Sequence, residues 1–136
     1  DDAEAVFHLG SFLYRAGSTE EAETVLREAV GRIPGDASIH HALGLALVRQ
    51  NRTDAALEQL RLAATLSPET ARYVYVYAVA LNSTGNQQQA ILILQGAHSR
   101  HPNNRDILTA LVAFHRDAGN EAAARRYAGK LQSLSP

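Results

Sequence analysis

The chain of 136 residues contains no cysteine, no methionine and no tryptophan. Without cysteine there can be no disulfide, no thiolate zinc site, no covalently attached haem and no cysteine nucleophile. Basic residues are not in excess: the formal net charge is -1, and Lys130 is the only lysine. That argues against nucleic-acid or membrane-surface binding, which needs cations to neutralise phosphates. No apolar run reaches the 18 or so residues of a membrane-crossing helix. There is no Gly-rich phosphate loop, no H-E-x-x-H and no nucleophile elbow, and Ser, His and Asp are scattered, so no enzyme activity is expected. No cofactor is expected either. The absent initiator methionine leaves room for a removed signal or an upstream domain.

Proline is scarce, and its placement is regular. The four prolines are Pro34, Pro68, Pro102 and Pro136, each 34 residues after the last. A fixed period of this length marks a repeat array. Hydrophobic residues make up 46% and charged residues 20%, the composition of a folded chain rather than a disordered one. Each period reads as two helices. In the first, Val6, Leu9, Gly10 and Leu13 form one apolar stripe, Gly17-Ser18-Thr19 interrupts it, and Ala22, Val25, Leu26, Ala29 and Val30 form a second. Ser18 or Thr19 is expected to cap the second helix, with Glu20 and Glu21 in its first turn. Pro34 stops it, because the residue before a proline avoids helical geometry. The pattern recurs through Ile39, Leu43, Gly44 and Leu47, through Val74, Tyr77, Ala78 and Leu81, and through Leu108, Leu111, Val112 and Phe114. Small residues hold register, with Gly10, Gly44 and Ala78 in the first helices and Ala22, Ala56, Ala90 and Ala124 in the second. A small side chain at a fixed position lets two helices approach closely.

A 34-residue helix–turn–helix with a Leu-Gly pair, a spaced Ala-Leu-Ala and a closing Pro resembles the tetratricopeptide repeat. Those residues are Leu9-Gly10, Ala22, Leu26, Ala29 and Pro34, then Leu43-Gly44, Ala56, Leu60, Ala63 and Pro68, then Tyr77-Ala78, Ala90, Leu94, Ala97 and Pro102. The fourth period departs most: Val112 replaces the small residue, Ala128 the large one and Leu131 an alanine. The resemblance implies an all-α, right-handed superhelical α-solenoid of eight helices. It would be a single array over 1–136 with repeats at about 3–36, 37–70, 71–104 and 105–136.

The resemblance also implies a concave groove, lined by the first helix of each pair, that binds a protein partner as an extended peptide or a helix. Carried over by register, the inner positions are Phe7, His41, Tyr75 and Thr109, then Ser11, Leu45, Val79 and Ala113, then Tyr14, Val48, Asn82 and Arg116, flanked by Arg15 and Arg49, with Arg72 at a helix entry. Tyr and Arg around an apolar middle is the composition of interface hot spots. Arg49 and Arg72 are the candidates for holding an acidic group by bidentate bonds. The clamp for C-terminal carboxylates known in the family is largely missing, since Phe7, Ser11, Ala42 and Val76 stand at its positions.

Among the histidines, His40 is expected in the core, and His98 with His101 as a solvated pair beside helix-terminal carbonyls rather than a metal site. The last helix keeps Ala123, Tyr127, Leu131 and Leu134 with no polar cap behind it, which predicts self-association through the C-terminal repeat. The other readings are a structural or oligomerisation module, and a non-catalytic repeat domain of a larger bacterial enzyme or multihaem protein. The last rests on a likeness of the stretch from Ala71 to Gly85 to repeat segments in bacterial multihaem cytochrome proteins. It points to a bacterial source, in the cytoplasm or the periplasm, although no C-x-x-C-H is present.

Overall fold

A computed structural model describes residues 2–134, so Pro136 lies outside the described residues. These residues form eight α-helices and no strand: α1 (Asp2–Arg15), α2 (Thr19–Arg32), α3 (Ala37–Arg49), α4 (Thr53–Leu66), α5 (Ala71–Ser83), α6 (Gln87–Arg100), α7 (Arg105–Asp117) and α8 (Glu121–Ser133). The period survives to the residue. Helices α3, α5 and α7 begin 34 residues apart, as do α2, α4, α6 and α8. No helix is long and apolar enough to cross a membrane among the described residues.

The turn inside each pair is built on one residue with positive φ, again every 34 residues: Gly17 at 86°, Asn51 at 60°, Gly85 at 87° and Gly119 at 82°. Three are glycines, which reach this region without a Cβ clash, and asparagine is among the residues that tolerate it best. The expected cap at Ser18 does not form: its side chain makes no capping bond, and its backbone sits at ψ 64° rather than in the extended region. Side-chain caps occur elsewhere. Asp36 accepts from the Ser38 and Ile39 N–H groups, Asn104 from Ile107 and Asn120 from Ala123.

The helices fall into two compact units divided between Ser67 and Pro68. In the first, α1 packs on α2, α2 on α3 and α3 on α4, with a lighter contact between α1 and α3. In the second, α5 to α8 repeat that order, with α5 touching α7. The centre of each pair in the first unit is a leucine in a notch. A Cβ built on Gly10 would stand 2.6 Å from Leu26 Cδ2, and one on Gly44 would stand 2.5 Å from Leu60 Cδ2. Leu26 and Leu60 are both 0% exposed. Alanines 22, 29, 56 and 63 flank them and are buried as well, so the paired helices close without voids.

One core assignment from the sequence is corrected. Leu9 is 49% exposed, whereas its register mates Leu43 and Leu111 are 1% and 0% exposed. No helix lies against that side of α1 among the described residues.

At positions 112 and 128 the sizes are exchanged, with valine at the notch and alanine facing it. That exchange predicts how the notch responds to substitution. Gly44→Val should destabilise the chain by about 1–3 kcal/mol through overpacking, and Leu60→Ala by about 2–5 kcal/mol through a cavity. In denaturant unfolding, the double variant should cost less than the two single costs together. Strict additivity would show that the two positions do not share one space.

Candidate functional site

In the first unit, the inner positions come from α1 and α3. Tyr14 and Arg49 lie in the last turns of these helices, 35 residues apart, one repeat plus one position. The Arg49 guanidinium carbon stands 3.5 Å above the Tyr14 ring centroid, and Arg49 Nη1 donates a hydrogen bond to the Tyr14 carbonyl oxygen. That oxygen belongs to the C-terminal turn of α1, where it also accepts the Gly17 N–H at 3.1 Å and the dipole favours a cation. The arginine therefore serves as a helix cap and as the lid of a stacked Tyr–Arg pair. A guanidinium carries five N–H donors, so this pair can still receive an acceptor from outside.

Tyr14 also lines a cleft of about 230 Å³, together with Ser11, Arg15, Ala42 and Leu45. Val48 beside it is 39% exposed. The cleft thus has an apolar floor with aromatic and cationic edges. Phe7 is half-buried and packs its ring against His8 at 5.6 Å. His41 differs from expectation: it is 8% exposed and contributes little surface.

In the second unit the inner positions lie on α5 and α7. Val79 is 38% exposed, Tyr75 and Asn82 are half-buried, and Arg72, Thr109 and Arg116 are exposed. Arg116 is tied to Glu121 at 3.5 Å. Tyr77 is core at 7% exposure, as its leucine-type position predicts. No group of three His, Asp or Glu residues able to hold a metal occurs among the described residues.

Two tetratricopeptide repeat models match the sequence, one over residues 3–46 and one over 41–105. The chain is a tetratricopeptide repeat protein. Solved structures agree on the fold. The crystal structure of MamA aligns with 98% of this chain and 78% of its own at a TM-score of 0.90, with 21% identity. Another crystal structure of MamA protein covers 97% of this chain and 72% of that one at a TM-score of 0.87, with 21% identity. The fold is thus the all-α solenoid of helix–turn–helix repeats that the sequence led us to expect. Tetratricopeptide repeats are protein-interaction scaffolds, and this chain is one by family. Among curated proteins, the Vi polysaccharide export protein VexE of Salmonella typhi is 29% identical over 116 residues, which is 82% of this chain. The chain spans only 18% of the length of that relative.

Sequence reasoning on this tetratricopeptide chain missed two features. One is the Tyr14–Arg49 pair, which the one-repeat-plus-one spacing could have signalled. The other is a histidine–tyrosine cluster in the second unit. His98 is only partly exposed, and its Nδ1 is buried with no hydrogen-bond partner among the described residues. Its ring stands edge-on to Tyr127 at 5.6 Å, and His115 stacks on that tyrosine at 5.5 Å, with planes 9° apart. His101 is set apart, with Nε2 3.4 Å from the Pro68 carbonyl oxygen. Burial lowers the pKa of His98, helped by Lys130, and burial lowers that of His115, helped by Arg126.

The folded second unit therefore prefers both imidazoles neutral, while the unfolded chain binds protons at the ordinary histidine pKa near 6.5. Their contribution to stability is fully present above that pH and is lost as pH falls through the lower folded values. Thermal unfolding should show Tm falling between pH 7.5 and 5, and His98→Asn should flatten that fall. An unchanged Tm over this range would contradict the burial argument.

Proposed function

We propose that the chain is a non-catalytic binding module that holds a peptide or a short helix of a protein partner on the inner faces of its first helices. The observation that carries this reading is the cleft of Ser11, Tyr14, Arg15, Ala42 and Leu45, whose Tyr14 ring is stacked by Arg49, with Val48 exposed on the same helix as Arg49. Tyrosine and arginine lose little freedom when they are already stacked, which favours binding. The arginines at the edges suit a partner that brings an acidic group next to an apolar side chain. In the second unit Arg72, Tyr75, Val79, Asn82, Thr109 and Arg116 offer the same residue classes for the same kind of ligand.

The match to VexE favours one context for this activity. A chain that aligns over 82% of its length with under a fifth of an export protein suits a repeat segment of a larger envelope-directed protein, with its partner a component of that assembly.

Peptides selected against the wild-type chain from a displayed random library provide the test. Tyr14→Ala and Arg49→Ala should each weaken the selected peptides by tenfold or more, about 1.4 kcal/mol or greater. Leu92→Ala, on the opposite class of helix and 68% exposed, should leave affinity unchanged. Peptides that bind both cleft variants as tightly as wild type would sink the reading.

A further inference from the structure

The arginines of the first unit divide into two sets. That unit carries ten acidic residues and six arginines, so carboxylates are in surplus. Four arginines have one. Arg32 reaches Glu28 at 2.8 Å and Arg61 reaches Glu58 at 2.7 Å. At the joint between the first two repeats, Glu23 of α2 accepts hydrogen bonds from Arg27 at 2.7 Å, Arg52 at 2.7 Å and Gln50 at 2.9 Å. Burial works to raise the Glu23 carboxyl, but these bonds outweigh it and hold it below its ordinary pKa. Arg15 and Arg49 hold no carboxylate among the described residues. Arg49 lies well inside the chain, with described helices before and after it. Both arginines belong to one place, since Arg15 lines the cleft and Arg49 stacks on Tyr14, which lines it too. The positive charge that an acidic unit leaves unneutralised is gathered there.

The setting of Arg49 determines what it can take. Its stack on the Tyr14 ring and its bond to the Tyr14 carbonyl fix the guanidinium plane, so little freedom is lost when an acceptor arrives. The fork of that plane matches the paired oxygens of a carboxylate or a phosphate. The helix ends discriminate between the two. Tyr14, Arg15 and Arg49 all stand in the last turns of α1 and α3, where the helix dipole is negative. A doubly charged phosphate suits the opposite end of a helix, and a singly charged carboxylate meets less repulsion here. Ala42 and Leu45 in the same cleft give an apolar side chain its floor.

We propose that the cleft recognises a motif in a peptide partner: one apolar residue with an Asp or Glu on each side of it, the two carboxylates held by Arg49 and Arg15. This rests on the inner faces of the first helices being the binding surface, and it adds the sequence rule by which that surface selects. The apolar side chain fills the cleft over Ala42 and Leu45. The other four arginines of the unit are already neutralised and take no part.

Random linear peptides displayed on phage, selected against the full wild-type chain, test this. Parallel selections use Arg15→Glu and Arg49→Lys, each checked for unchanged helical circular dichroism. Peptides that lose binding to Tyr14→Ala form the cleft-dependent set. In that set the wild type should enrich Asp or Glu on both sides of a Leu, Ile or Phe. Changing both acids of such a peptide to Asn or Gln should weaken binding about tenfold or more, the scale of a charge-assisted hydrogen bond. Arg15→Glu should exchange one of the two acids for Lys or Arg. Arg49→Lys keeps the charge at the end of α1 but loses the fork, and should relax the preference at the other acid. Arg32→Glu breaks only an exposed pair on α2 and should select the wild-type motif. A cleft-dependent set without acid preference, a preference that neither cleft variant alters, or the same change with Arg32→Glu would overturn the motif and leave the binding surface standing. If no selected peptide depends on Tyr14, the surface falls and the motif with it.

Discussion

A leucine seated where the facing helix has no side chain is the contact on which the rest depends. Leu26 lies over Gly10 and Leu60 over Gly44, at separations that leave no room for a Cβ. Because interiors are close-packed, such a notch fixes both the rotation and the axial position of the paired helices. Once these are fixed, the flanking alanines meet without voids and the next helix has one way to lie. The Val112–Ala128 exchange in the last repeat keeps the rule while inverting its parts. The constraint concerns the summed volume of two positions, rather than glycine as such.

The same constraint decides what is left over. With leucines and alanines turned inward between paired helices, one edge of α1 and α3 has no partner and carries Tyr14, Leu45, Val48 and Arg49. Arg49 links the two roles, capping α1 at the Tyr14 carbonyl while stacking on the ring of Tyr14, which lines the cleft. The charged joint around Glu23 is different in kind. Glu23 is only 13% exposed at its side chain, and three donors converge on it. It therefore acts less as a surface ion pair than as a fixed marker of which repeat precedes which.

Much of this was legible in the sequence, because a 34-residue period multiplies every signal. The turn residues Gly17, Asn51, Gly85 and Gly119, the small residues and the helix starts all fall where the period puts them. What escaped depends on geometry between repeats. His98 looked solvated because its own helix ends nearby, but the Tyr127 ring of α8 stands against it and its Nδ1 is buried. His41 looked like surface, but its contacts cover it. Leu9 matched the core pattern of its mates and is nonetheless exposed, since register predicts a direction and not the presence of a neighbour. Ser18 has the chemistry of a cap, but its side chain makes no capping bond.

Tyr14 lies on the first helix of one pair and Leu92 on the second helix of another, and these two positions divide the account cleanly. A photoreactive amino acid placed at position 14, in α1, and separately at position 92, in α6, can be irradiated with the full chain in its native cells. If the first helices are the binding surface, one discrete protein adduct should form at position 14 and none at position 92. Adduct formation at position 92 with none at position 14 would contradict the central claim that the inner edge is where this scaffold holds its partner.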